Sequence, residues 1–480
     1  LSVIFYLWRN HPIISLSQKL FCALVFLVLS GCASMRADLD KYDRKLRSGD
    51  FAEATSFAKS RAGKENRNQL LWSLQAGVAA RQSQDYLASN QFFDQAEELI
   101  KKYDLKNAGS SVSESLSSML VNDSTRDYQP SEYEGVMVNT YKAFNYLALR
   151  RPDTARVEFN RALDRQRRAK DRFQSAIAKQ RQAIAWRQQQ ENQRNGGQGF
   201  DLNRSLDSDT ITGLTRNRYS NFSEFGVYPS FINPFTTYSA GLFFALAGDY
   251  AKAASFLKEA AAMVPENELV LADLAMVEEA LDRGKPIAGG VWVLVENGRA
   301  ARRREIRMDV PLFLVSRRLV YTGIALPILM RGEEAVRNIG LRGNGQLNAT
   351  APLASMDRVM RTEFKDMYWS IVTRAMLSAM MKTTLQYQAE KELGVAGLIA
   401  TAVLQAATTS ADLRSWTGLP SSFQMGRLAM PADRHLTLLV PGQRQQEIQL
   451  PKCQSAIIYI TIPDKDVSPV IDVLVFNPFS

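Results

Sequence analysis

Apolar positions recur at helical spacing through most of the first 285 residues, and the period then drops to two. The segment near residues 155–195 predicts one long polar helix. Phe159, Leu163, Phe173, Ile177 and Ile184 form a thin apolar stripe on it, among Arg161, Arg165, Arg167, Arg168, Lys170, Arg172, Lys179, Arg181 and Arg187. That run breaks at Asn195-Gly196-Gly197. Residues 105–135, with paired serines, predict a loop with room for a short helix, and residues 200–233 predict a loop. Gly284-Lys285-Pro286 and Gly289-Gly290 mark a boundary, after which Val291-Trp292-Val293-Leu294-Val295 predicts a buried strand. Glu296-Asn297-Gly298 predicts a hairpin to a return strand alternating Ile306, Met308, Val310 and Leu312. Further strands are expected over 319–329, 436–440, 446–450, 456–462 and 470–476. Between them Phe364, Met367, Ile371, Ala375 and Ala379 predict a methionine-rich core helix, with the uncharged stretch 393–411 as a second helix packed on it. The expected class is α+β multidomain: a helical domain over 32–285, then an α+β domain over 286–480 of antiparallel strands with an inserted helical pair.

Within the helical half, Gly241, Phe244, Gly248, Asp249, Tyr250, Ala253, Leu257, Ala260 and Pro265 fall in the register of a tetratricopeptide unit. Small residues at 241 and 253 would let two helices approach, and Pro265 would stop the second. Looser copies are Gly77, Tyr86, Ser89, Phe93 and Ala96; Ala143, Tyr146, Ala155, Phe159 and Ala162; and Gly49-Asp50-Phe51 with Ala54. The interval from 54 to 89 is close to the tetratricopeptide period of about 34 residues, and later intervals are lengthened by insertions. The stretch 36–285 therefore resembles the tetratricopeptide superfamily. That resemblance implies a solenoid of helix pairs with a face for protein or peptide binding.

The apolar run 20–29 follows Arg9 and Lys19 and ends in Leu29-Ser30-Gly31-Cys32. A basic start, a short apolar stretch and small residues before the break make residues 1–31 a secretory signal. Its end resembles the bacterial lipobox, which implies cleavage before Cys32 and lipidation, including palmitate, on that residue. Several acyl chains anchor a protein stably where one is marginal. Ala33, where an aspartate would resemble an inner-membrane retention signal, favours the outer membrane of a Gram-negative cell. The stretch before His11 reads as an over-extended start. Removal of Arg9 and Lys19 with the signal would lower the net charge from +10 to about +8.

Composition narrows the chemistry further. Apolar residues make up 46% and charged residues 22%, the balance of a globular chain rather than a disordered one. Three cysteines, one of them Cys32, leave no disulfide framework, and two histidines, His11 and His435, leave no His-rich metal site. Phosphate-binding loops, dinucleotide fingerprints and nucleophile elbows are missing, so no cofactor is expected. Arg299, Arg302, Arg303, Arg304 and Arg307 crowd the start of the second strand, where guanidinium forks could contact an anion. The competing reading is an exposed edge guarded against strand addition. A carboxylate pair converging from distant positions would support an envelope glycan hydrolase or transferase instead. Oligomerisation through 393–411 would support a ring or pore subunit.

Gly290-Val291-Trp292-Val293-Leu294-Val295-Glu296-Asn297-Gly298, Ala325-Leu326-Pro327 and Asp412-Leu413-Arg414-Ser415-Trp416 with Leu419-Pro420 resemble an uncharacterised family. Its members are bacterial tetratricopeptide-containing outer-membrane lipoproteins, and the resemblance covers most of the chain after Cys32. It implies no reaction and supplies no active-site motif. The expectation is a non-enzymatic periplasmic scaffold or adaptor, lipid-anchored in the outer membrane. Its expected partners are envelope proteins on the solenoid face, with anionic glycan or lipopolysaccharide as a further contact and no nucleic acid.

Overall fold

The computed structural model describes residues 35–63, 66–109, 126–194, 233–311, 321–368, 371–376, 378 and 409–476. Cys32, the signal 1–31, the loop 200–232 and most of the uncharged stretch 393–411 lie outside the described residues.

The chain is α+β, with a helical first region and a strand-rich second one. The helices are α1 (35–47), α2 (Phe51–Ala62), α3 (Gln69–Gln82), α4 (Tyr86–Gly109), α5 (Glu132–Ala148), α6 (Pro152–Arg194), α7 (Pro234–Leu246), α8 (Tyr250–Met263) and α9 (Glu268–Arg283). Strands β1 (Gly290–Asn297), β2 (Arg302–Pro311), β3 (Tyr321–Met330), β4 (Gly340–Gly343), β5 (Gln346–Ala349) and β6 (Ala351–Ser355) follow. A helix, α10, begins at 356, and residues 356–368, 371–376 and 378 are helical. The final strands are β7 (Ser422–Ala429), β8 (His435–Leu439), β9 (Gln446–Gln449), β10 (Ser455–Ile462) and β11 (Val470–Phe476).

Two helix hairpins share one contact. A Cβ on Gly77 of α3 would come within 2.4 Å of the Phe93 ring of α4, and one on Gly241 of α7 within 2.9 Å of Leu257 of α8. In both, the bulky residue follows its glycine by sixteen positions, and a second small residue, Ser89 or Ala253, is fully buried between them. Only hydrogen at the glycine lets the helices close to this distance. The long helix α6 spans 43 residues, as its polar pattern predicts. Arg161, Arg167 and Arg168 on it are exposed, whereas two of its arginines turn inward. Arg165 pairs with Glu97 at 3.0 Å and Arg172 with Asp104 and Glu132 at 2.7 and 2.6 Å, because acidic residues of α4 and α5 line its path.

The strands form a five-stranded sheet in the order β11-β10-β1-β7-β6, a four-stranded sheet β5-β4-β8-β9, and the ribbon β2-β3. The Asn297-Gly298 hairpin does not form. β1 is the middle strand, parallel to β10 and antiparallel to β7, and β2 pairs with β3 instead. The sheet is thus mixed rather than wholly antiparallel. The Asn297 side chain is spent otherwise: its oxygen accepts from Ala335 and Val336 N–H, and its amide donates to Val336 O. Gly298 turns the chain at φ +70, where a Cβ would lie 1.9 Å from Glu333 O. That close approach makes the bridge between Arg299 and Glu333, with N–O distances of 2.7 and 2.8 Å.

Every residue of β1 is buried, so it separates two apolar layers. Trp292 and Leu294 face the helices, and Val291, Val293 and Val295 face the four-stranded sheet with Ile458, Ile460, Leu436 and Leu438. The core on the helical side crosses the sequence boundary near 285 without a break. Phe144 lies 4.5 Å from Tyr459 between ring centres, and Asp273 of α9 accepts from Tyr238 of α7 and Trp292 of β1 at 2.6 and 3.1 Å. Met356, Met360 and Met376 are buried at 3% exposure or less, so this part of the methionine stripe is core.

Candidate functional site

A cavity of about 540 Å³ opens between α1, the start of β2, the end of β3 and the segment 410–417. Nine arginines and five carboxylates line it. All five of the clustered arginines, Arg299, Arg302, Arg303, Arg304 and Arg307, belong to that lining, and Arg36, Arg67, Arg331 and Arg414 join them from elsewhere in the chain.

The local fold explains the convergence. Gly298 sends the chain off the end of β1, and Ala300 N–H then donates to Leu419 O. Asp357, at the start of α10, accepts from Ala301 N–H at 2.7 Å and Gly332 N–H at 2.6 Å, fastening both strands at the 302/330 end of the ribbon to one carboxylate. Burial pushes the Asp357 carboxyl above its usual range. From the helical side, Leu39, Tyr42 and Leu46 bury one face of α1, and this brings Asp43 under β2.

Asp43 is the counter-ion of the cavity. Its carboxylate receives Arg302 Nη1 at 2.6 Å and Thr417 Oγ1 at 2.8 Å, and Arg299 Nη2 stands at 3.1 Å. Arg299 is 4% exposed. Burial pulls its guanidinium down to about 10, with Asp43 opposing that shift and Arg302 and Arg47 adding to it. One carboxylate therefore serves two forks, which leaves the group short of negative charge. Arg299 Nε, Arg302 Nη2 and Ser415 Oγ are buried without a hydrogen-bond acceptor, and the contact of Arg299 Nη2 with Asp43 is an ion pair without hydrogen-bond geometry.

Three of the other carboxylates, Glu305, Glu333 and Asp412, are also held by arginines, and Asp40 is exposed on α1. Arg307 donates to Glu305 at 2.8 Å, and Arg47 pairs with Glu333 at 2.7 Å. Asp412 and Arg414 form a two-pronged pair, both contacts 2.8 Å. Arg414 Nη1 reaches Asn68 Oδ1 and Arg126 O at 2.8 Å each, so this pair ties the strand-rich region to the helices. Two residues on, Trp416 is fully buried, edge-on to Phe93 and Tyr141 at 5.9 and 6.0 Å. The Asp-Leu-Arg-Ser-Trp segment is thus a clasp, and its serine is buried in the cavity wall.

The arginine cluster is not a uniform exposed edge. Arg304 and Arg307 are exposed, whereas Arg299 is buried on Asp43, and the guanidinium of Arg303 lies 5.9 Å from the Phe364 ring centre. Asp43 and Asp357 complete the arrangement without having been expected from sequence, together with Ser415 and Thr417 from the segment 411–420 that the sequence had marked. Asp43 carried a readable signal, an acid on the apolar face of α1; Asp357 carried none. His435 is exposed at the start of β8. Cys453 is buried, which raises its thiol pKa. Among the described residues no group of three His, Cys, Asp or Glu is placed to hold a metal ion.

Arginines cannot act as proton acceptors at physiological pH, but they bind planar and tetrahedral oxyanions through paired N–H groups. The chemistry open to this cavity is anion capture. The chain matches no protein-family model, no curated protein and no solved structure.

Proposed function

We propose that this protein is a non-enzymatic scaffold of the Gram-negative cell envelope, anchored by lipid on Cys32 to the outer membrane and facing the periplasm. Its helical region is read as a tetratricopeptide-like array that recruits protein partners for the assembly or regulation of an envelope machine. The observation that carries the reading is the recurrence of one helix-pair contact, Gly77 against Phe93 and Gly241 against Leu257, at the same spacing in two hairpins. Repetition of one packing unit is how such arrays build extended binding surfaces. The apolar side chains left exposed on α4 and α9, Leu87, Leu105, Leu271 and Leu281, are available to such contacts.

Crosslinking in whole cells followed by mass spectrometry, comparing the parent with Cys32→Ser, tests this. A defined set of envelope proteins should crosslink to the parent and be lost from the variant. The same partners in both, or failure of the parent to take up labelled palmitate, would sink the anchored-scaffold reading.

A further inference from the structure

We propose that the arginine-lined cavity is a binding site for a phosphoryl group carried on a small molecule or a lipid headgroup. Three observations meet there. The lining holds more arginines than carboxylates, and Asp43, Glu305, Asp412 and Glu333 are already engaged as counter-ions. Buried donors from three separate residues, Arg299, Arg302 and Ser415, have no acceptor. Finally, the volume of about 540 Å³ falls within the ~300–1,000 Å³ of small-molecule sites.

The donor set selects the ligand. Leaving a buried donor unsatisfied costs about 1–3 kcal/mol; these atoms are shut off from the cavity surface, so an anion that draws the Arg299 or Arg302 guanidinium toward the cavity would recover part of that cost. Arginines of the lining come from α1, from β2 and from the segment 410–417, so N–H forks from separate parts of the chain surround the space, which suits a tetrahedral oxyanion with several acceptor oxygens. A phosphomonoester carries roughly −1.5 to −2 charge and three acceptor oxygens; one negative charge would offset the single positive charge that Asp43 leaves across Arg299 and Arg302, and the rest would fall to the other arginines of the lining. Inorganic phosphate would leave most of the cavity empty, so the phosphoryl group is expected to bear a polar substituent of glycerol or sugar size.

Met35, on the cavity wall, is three residues from Cys32, a reach of at most about 10 Å. If Cys32 is acylated, as the proposed function holds, the cavity lies close to the leaflet surface and a headgroup phosphate is a ready source. The site itself does not depend on that reading.

The test uses the full chain in a neutral detergent, titrated calorimetrically with glycerol 3-phosphate and with glycerol as the uncharged control. The phosphate should bind saturably and glycerol should not. Arg302→Gln and Ser415→Ala should each weaken binding by about tenfold or more, while Arg283→Gln, at the exposed end of α9, should leave it unchanged. Ser415→Ala should not lower the melting temperature, since it removes an unsatisfied buried hydroxyl. Loss of binding without loss of stability separates ligation from folding. Absence of saturable binding, parent-like binding by both cavity variants, or equal weakening by Arg283→Gln would overturn the proposal. Vesicles of phosphatidylcholine with and without phosphatidic acid, offered to the Cys32→Ser chain, identify the source. Recruitment that needs the acidic lipid and Arg302 assigns a headgroup, and binding of glycerol 3-phosphate alone assigns a soluble phosphate ester. Because that chain cannot be acylated at Cys32, failure of the anchor reading and failure of the phosphate site give different results.

Discussion

The ring of Phe235 lies flat on that of Phe423, with centres 3.8 Å apart and planes 8° from parallel. One residue opens α7 and the other sits in β7, so a helix of the first region and a strand of the second share a single layer of core. Both side chains are fully buried.

Phe423→Ala should therefore destabilise both regions together, by about 3–5 kcal/mol, the usual cost of truncating a buried phenylalanine. Urea unfolding followed by far-ultraviolet circular dichroism and by tryptophan fluorescence checks this. Both curves should shift to lower denaturant by the same amount. A shift confined to one probe would mean that the regions unfold separately.

Gly298→Ala places a methyl group where Glu333 O already stands and forces alanine to a φ of +70. The expected loss is about 1–3 kcal/mol from backbone strain alone, with more from displacing the 333 bridge. Gly345→Ala and Gly442→Ala, also at positive φ but with open space around the added carbon, should cost less. Thermal melts of the three variants give the ranking.

Glu134 and Glu363 set a pH dependence. Burial raises the Glu134 carboxyl from 4.5 to about 7, although Tyr128 donates to it at 2.5 Å. Burial, reinforced by Glu132, raises Glu363 to about 8. A carboxyl with a raised folded-state pKa binds its proton more tightly in the native chain. Its contribution is complete below about 4.5 and is lost as pH climbs through about 7 and 8. Against the Glu134→Gln, Glu363→Gln double variant, the parent should lose stability between pH 5 and pH 8. Urea midpoints at the two pH values measure it, and parallel changes in both proteins would contradict the assignment.

Asp43→Asn removes the counter-ion of two arginines. Breaking a buried pair on one side costs about 3–5 kcal/mol because the remaining charge is left uncompensated. The melting temperature should fall, and glycerol 3-phosphate should restore more of it in this variant than it adds to the parent. Equal stabilisation of both would show that Asp43 and the phosphate do not answer the same charges.

Much of the secondary structure was legible because it rests on local periodicity. The eight buried residues of β1, the 43-residue α6 and the strands near 321, 435, 446, 455 and 470 follow from alternation or helical spacing alone. Pairing was not legible. Asn297-Gly298 has the composition of a tight turn, yet its local preference yields to Ser422, Val336 and Glu333, all distant in sequence. The cavity was half legible. Five arginines in nine residues marked one wall, but Asp43 and Ser415 come from opposite ends of the chain. Only the packing of α1 and the Asp412–Arg414 clasp brings them to the same space.

β1 hydrogen-bonds to β10 along its length, joining Val291 to Ala456 and Asn297 to Ile462. The centre of the main sheet thus stays incomplete until the ribosome has passed position 462. The helices, made some tens of seconds earlier at ~5–20 residues per second, must wait with their aromatic faces open until the last two strands arrive.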